Sequence, residues 1–280
     1  MRELARVRCL RHVYPDRTEV CLCGLDFVVQ EKDRLVVLGP NGSGKTTLLA
    51  HLMGLLEPVE GEVEVFGTNP CKDFDLVRRR LGVVFQNVDE QIIGPTVWDD
   101  VAFSLLNNGI PVDEACLMVE EILEDLGISH LRNKIPHYLS GGEKRKVALA
   151  GAMVMKPELL ILDEPFTGLD PKSKGEILEA LLKLNEKYGT ALVVTTHEID
   201  LVPVLANKVY VLDRGNLVLC GTPGEVLTNL EVLQKACLEP PILVELFRRL
   251  ADRGLAVGTP ITMEEAEEQL LLLVGYSGQG

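Results

Sequence analysis

Short apolar runs alternate with helical spacing along the chain. Leu35-Val36-Val37-Leu38 and Leu159-Leu160-Ile161-Leu162 are apolar at every position and too short for an average helix. That pattern predicts strands buried on both faces of a parallel sheet. Ala191-Leu192-Val193-Val194-Thr195-Thr196 predicts a third such strand, with the helix Lys172 to Lys187 before it. Up to about Phe85 the pattern predicts a β-rich region, which includes Gly61-Glu62-Val63-Glu64-Val65-Phe66. Between Asn87 and Met155 it turns helical, and Val119, Ile122, Leu123 and Leu126 are spaced to bury one face. Val209 to Asp213 and Asn216 to Gly221 predict a hairpin. Helices follow Thr222, one of them opened by a capping box at Thr262 and Glu265, and Ser277 to Gly280 are expected to be disordered. No internal repeat is visible.

The first strand runs straight into Gly39-Pro40-Asn41-Gly42-Ser43-Gly44-Lys45-Thr46-Thr47, and a helix is predicted after Lys45. Glycines at 39, 42 and 44 let the backbone bend so that successive N–H groups face a phosphate, and the helix N-terminus adds positive field. Lys45 supplies a charge for β- and γ-phosphates, and the Thr46 hydroxyl is a ligand for Mg²⁺. The run Leu159 to Leu162 ends in Asp163-Glu164, two acids at the carboxyl end of a strand, where open α/β sheets bind ligands. Asp163 would hold Mg²⁺ through water and Glu164 would polarise the attacking water. A phosphate loop alone fixes the chemistry only to a nucleoside triphosphate.

A second glycine pair narrows the reading. In Leu139-Ser140-Gly141-Gly142-Glu143, Ser140 and Glu143 form a capping box, so a helix starts there and runs through Lys146, Ala150 and Met153. A plain helix start needs no glycines. Gly141-Gly142 leaves the N-terminus bare, as a phosphate needs if it is to reach the N–H groups. Because this helix is not expected to reach the phosphate beside Lys45 from within one subunit, the spacing argues for a second copy of the chain.

These runs resemble the ATP-binding cassette (ABC) ATPases, over nearly the whole chain. Gly39 to Thr46 is similar to that family's Walker A motif, Leu160 to Glu164 to its Walker B motif, and Leu139 to Glu143 to the signature that completes the partner's ATP site. In the family's order come Gln86, like the loop glutamine that touches Mg²⁺ and relays to the membrane partner; Gly168-Leu169-Asp170-Pro171, like the dimer-facing loop; and His197, like the switch histidine. Tyr14 resembles the aromatic residue that stacks on adenine, with a surface or core tyrosine as the alternative. The resemblance implies an α/β fold: a P-loop NTPase (RecA-like) core with a β-rich N-terminal subdomain, an inserted α-helical signature subdomain and a C-terminal helical appendage. The ATPase domain would span 1–221, with the insertion at about 87–155, and the extension 222–280. It also implies ATP and Mg²⁺ as ligands.

Within the family, Phe85-Gln86-Asn87-Val88-Asp89-Glu90-Gln91 with Pro95-Thr96-Val97-Trp98-Asp99-Asp100, Glu164 to Pro171, and Pro240-Pro241 with Val244-Glu245-Leu246 resemble the ATPases of energy-coupling factor and cobalt or nickel importers. In that group separate membrane proteins choose the cargo: vitamin, cobalt or nickel. Val88 departs from the group's usual proline, which puts the bend of the loop in question. The implied partners are a second ATPase subunit, identical or related, and a transmembrane subunit contacted through Gln86 and Gln91-Ile92-Ile93.

Composition narrows the partners further. The chain has 280 residues, 46% of them hydrophobic, enough for one large domain and an appendage. Its formal charge of −14 opposes nucleic-acid binding and adhesion to anionic lipid. With no stretch of membrane-spanning length and no signal-peptide core in Met1 to Arg8, the chain is expected at the cytoplasmic face of the membrane, held there by partners rather than by lipid insertion. The seven cysteines are scattered, with no Cys-x-x-Cys, and are expected to be reduced thiols. Two other classes compete. Soluble ABC ATPases of the ribosome or DNA usually carry two cassettes or a long coiled coil, both lacking here, and a P-loop kinase or GTPase would leave the signature helix unexplained.

Overall fold

The computed structural model describes residues 2–24 and 26–273. Its strands are β1 (Glu3–Val13), β2 (Glu19–Leu22), β3 (Phe27–Gln30), β4 (Arg34–Leu38), β5 (Glu60–Val65), β6 (Leu81–Val84), β7 (Leu159–Asp163), β8 (Ala191–Thr196), β9 (Lys208–Asp213) and β10 (Asn216–Gly221). The long strand β1 pairs antiparallel with β2, β3 and β5. The other sheet has the order β10-β9-β4-β8-β7-β6. It is parallel except for the β9–β10 hairpin, whose turn residues Arg214 and Gly215 both have left-handed backbones, at φ 45° and 79°.

The apolar runs explain why this sheet is central. Successive side chains of a strand point to opposite faces, so a strand apolar at every position feeds two cores. Val36, Leu38, Leu160, Leu162, Leu192 and Val194 belong to the core shared with the helical insertion. The alternate residues Leu35, Val37, Leu159, Ile161, Ala191 and Val193 belong to the core shared with the antiparallel sheet, against Leu10, Leu22 and Phe27. Each such Leu, Ile or Val side chain, withdrawn from water, contributes about 1.5–3 kcal/mol. This double-sided packing rigidly fixes the carboxyl ends of β4, β7 and β8.

Between β6 and β7 run the helices Val97–Asn107, Val112–Asp125 and Gly141–Met153. Val119, Ile122, Leu123 and Leu126 are buried, the face that their spacing predicts. Capping boxes start two of these helices, Thr96 with Asp99 and Ser140 with Glu143. The helix before β8 spans Pro171–Tyr188 and is capped by Asp170.

After β10 come the helices Pro223–Leu227, Leu230–Lys235, Ile242–Asp252 and Met263–Leu273. The Thr262–Glu265 box forms only in half. Thr262 Oγ1 accepts the Glu265 N–H, at 3.2 Å, but the Glu265 carboxylate accepts the N–H of Ile261 instead of that of Thr262. Ser277 to Gly280 lie outside the described residues. Among the described residues no helix is long and apolar enough to cross a membrane.

Candidate nucleotide site

The turn out of β4 is built by its glycines. A Cβ on Gly39 would lie 2.5 Å from the Leu212 carbonyl oxygen of β9, so the loop can leave the sheet there only without a side chain. Gly42 and Gly44 have φ of 77° and 105°, and the helix Lys45–Leu52 starts directly after Gly44. Lys45 is buried, and its ammonium donates to the carbonyls of Gly39 at 2.8 Å and Pro40 at 3.2 Å. The Glu164 carboxylate lies 3.6 Å away. A phosphate would compete for this charge with those three partners.

Asp163 ends β7 and Glu164 directly follows it, and β8 lies between β7 and β4. Two strand spacings, about 10 Å, therefore separate the backbones of β4 and β7, and the side chains of Lys45, Thr46, Asp163 and Glu164 reach across that gap. Thr195 of β8 fills the middle. Its hydroxyl donates to Asp163 Oδ1 at 2.6 Å, and Thr46 Oγ1 donates to Asp163 Oδ2 at 3.1 Å. Its carbonyl and hydroxyl both accept the Glu164 N–H, which fixes Glu164 at a left-handed φ of 48°. A side chain held at that cost points to a functional constraint. Glu164 Oε2 lies 2.8 Å from His197 Nδ1, whose ring is half exposed, and accepts from Thr167 Oγ1 at 3.3 Å. A buried carboxylate thus faces a cation on one side and an imidazole on the other.

These groups share a cavity of about 410 Å³, whose lining brings Tyr14, Asn41, Gly42, Gly44, Lys45, Thr46, Thr47, Gln86, Glu164 and His197 together. Tyr14 is held there by a 2.8 Å hydrogen bond between its hydroxyl and Thr47 Oγ1, and its ring meets His12 edge-on. Gly39, Pro40 and Ser43 shape the loop beneath. Asp163 sits behind Thr46. Thr18, Val20 and Thr167 also line the cavity, and no spacing in the sequence singles them out. Ser140, Gly141, Gly142, Glu143 and Asp170 lie outside it. Ser140 is exposed at its helix start, and a Cβ on Gly142 would come within 2.6 Å of Ser173 Oγ, so the glycine lets the signature helix pack on the helix that Asp170 caps. Asp170 Oδ1 accepts the N–H groups of Lys172 and Ser173.

The family described as ABC transporter matches residues 22–167, more than half of the chain. The chain belongs to the ABC transporter family. It is an ATP-hydrolysing cassette, and its relatives bear out the energy-coupling factor likeness. It is 43% identical to the energy-coupling factor transporter ATP-binding protein EcfA of Methanoculleus marisnigri, over 96% of this chain and 97% of that one. It is similar to the structure of cbiO1 from Clostridium perfringens, part of the ABC transporter complex cbiONQ, with a TM-score of 0.76 and 36% identity over 84% of this chain and 94% of that one. A dimeric structure of a bacterial ABC transporter cassette matches with a TM-score of 0.69 and 28% identity, over 79% of this chain and 99% of that one.

Arg145 of the cassette escapes motif reading. It is buried on the signature helix, where its guanidinium donates to the carbonyls of Phe85 at 3.1 Å, Gln86 at 3.0 Å and Thr167 at 3.5 Å. One side chain thereby ties the signature helix to the Gln86 loop and to the loop after Glu164. Its signal in the sequence is a charge in register with the buried Ala148 and Leu149, three and four residues on. Arg145→Met keeps the volume but strands these carbonyls, and is expected to cost about 2–4 kcal/mol of stability. Denaturant unfolding measures this; a loss under about 1 kcal/mol would show that water replaces the guanidinium.

Gln91 differs from expectation. Instead of facing a partner, its amide bridges the loop, accepting the Phe85 N–H and donating to the Val83 carbonyl, both at 2.9 Å. Val88 takes the first position of the helix Val88–Gln91, a position where proline also fits, so the turn survives the change. Ile93 is exposed beside this loop.

Proposed function

We propose that two copies of this cassette, or one with a related chain, sandwich two ATP molecules and drive an importer of the energy-coupling factor type. The observation that carries this reading is the division of the site. Lys45, Thr46, Glu164 and His197 converge in one cavity, while the exposed start of the signature helix lies outside it. Lys45 and the N–H groups from Gly42 to Thr46 bind the phosphates of one ATP, and Tyr14 stacks on its adenine. Ser140 with the bare N-terminus at Gly141-Gly142 caps that γ-phosphate from the partner subunit.

Thr46 Oγ1 and Asp163 Oδ2, hard oxygen donors 3.1 Å apart, suit Mg²⁺, with Gln86 across the cavity as a further oxygen donor. Bound there, Mg²⁺ supplies charge to the β- and γ-phosphate oxygens. Glu164 takes a proton from the attacking water, and His197 holds the Glu164 carboxylate in place. Loss of the γ-phosphate removes the charge that bridges the subunits, and the dimer reopens.

Phe85, Ile93 and the loop between them transmit closure to a transmembrane subunit, and the cassette sits peripherally on the membrane. Co-expression with an energy-coupling factor transmembrane subunit tests this. The two should co-purify in detergent, and Ile93→Asp should lower the recovered complex at least about tenfold, since a charge there cannot be buried unpaired. Equal recovery would contradict the assignment of this surface.

A further inference from the structure

Strands β1 and β2 form a hairpin over the phosphate loop. Its turn carries Tyr14 and Thr18, which line the nucleotide cavity together with Val20 of β2. Leu10 pairs with Leu22 and Arg11 with Cys21, in antiparallel register. Cys9 and Cys23 are the residues that flank the Leu10–Leu22 pair, at the open end of the hairpin away from its turn, where Cys23 leaves β2 to bridge Asn216 of β10. Cys9 is exposed and Cys23 half buried, and the two thiols are near enough for Cys9 to act on the titration of Cys23. Cys9 also sits at a bulge in β1, with φ 41°, where the pairing with β5 shifts between Arg8 and Arg11. Cβ atoms of residues opposed across an antiparallel pair are about 4.5–5.5 Å apart, close to what a disulfide spans.

We propose that Cys9 and Cys23 are an oxidisable pair whose disulfide closes the open end of the nucleotide hairpin. The oxidant is a low-molecular-weight disulfide. The Cys9 thiolate attacks it, forming a mixed disulfide and expelling one thiol; the Cys23 thiolate then displaces the second thiol from Cys9. Two protein thiols are oxidised, the small disulfide is reduced to two thiols, and the protons stay with those thiols. The order follows from the surroundings. The neighbouring Cys9 thiol, and after it desolvation, push the Cys23 thiol up to about 11, and Cys9 is the exposed one of the two, so Cys9 reacts first. Once Cys9 is capped, its thiol no longer holds Cys23 in the protonated form. The closed loop contains Tyr14, Thr18 and Val20, so oxidation preorganises the adenine side of the site and lowers the KM for ATP. This consequence rests on the ATP reading above; the disulfide itself does not.

The full chain is incubated with oxidised glutathione, digested without reduction and analysed by mass spectrometry. A linked Cys9–Cys23 peptide pair lacking two hydrogens is expected, reversed by dithiothreitol and lost in Cys9→Ser and in Cys23→Ser. Glutathione adducts alone, or Cys21 in place of either partner, would overturn the pairing. In the oxidised protein the KM for ATP should fall at least about twofold with kcat unchanged, and Cys9→Ser should show no such response. An unchanged KM in a fully linked sample would overturn the effect on the hairpin. ATP binding by the reduced protein separates these outcomes from failure of the ATP reading.

Discussion

Glu164→Gln is expected to lower ATP hydrolysis at least about 100-fold while leaving ATP affinity within about threefold. Glutamine matches glutamate in shape, and the contacts that hold this position, from Thr195 to the Glu164 N–H, are made to the backbone, so the left-handed turn survives. What is lost is basicity. An amide cannot take a proton from water, and His197 Nδ1 loses the carboxylate that it meets at 2.8 Å. Phosphate binding does not suffer, because Lys45 loses a competing anion 3.6 Å away. His197→Ala removes only the positioning group and should cost about tenfold. Phosphate release and equilibrium ATP binding measured on the same samples separate the two effects. Near-normal hydrolysis by Glu164→Gln would remove Glu164 from its role.

The sheet was legible because its strands pack on both faces. A run such as Leu35 to Leu38 has no polar residue to place, and the double core accounts for every one of its side chains. The phosphate loop was legible because phosphate geometry fixes glycine and lysine at set offsets. Other features depend on contacts far apart in sequence. Nothing near Arg145 announces that it reaches carbonyls about 20 and 60 residues away. The resemblance gives Gln91 to the contact with a transmembrane subunit, yet its amide matches two backbone groups of its own turn. The division between Ser140 and the cavity is a property of the folded chain, and the spacing could only argue for it.

Lys45→Ala and Ser140→Arg are each expected to lower hydrolysis by about 1,000-fold, for different reasons. The first removes the ammonium aimed between the loop and Glu164. The second puts a bulky cation where the partner's ATP must meet a bare helix N-terminus, and it also breaks the capping box with Glu143, at a cost of about 1 kcal/mol that the fold can absorb. A mixed dimer joins the intact Lys45 of one subunit to the intact Ser140 of the other, which restores one of its two sites. Random pairing makes half of the dimers mixed, so an equimolar mixture should recover roughly a quarter of wild-type activity. The decisive measurement is steady-state ATP hydrolysis of the two variants, separately and mixed, as a function of protein concentration. Recovery on mixing, rising with concentration, is the predicted result; no recovery, with wild-type turnover independent of concentration, would contradict the shared site.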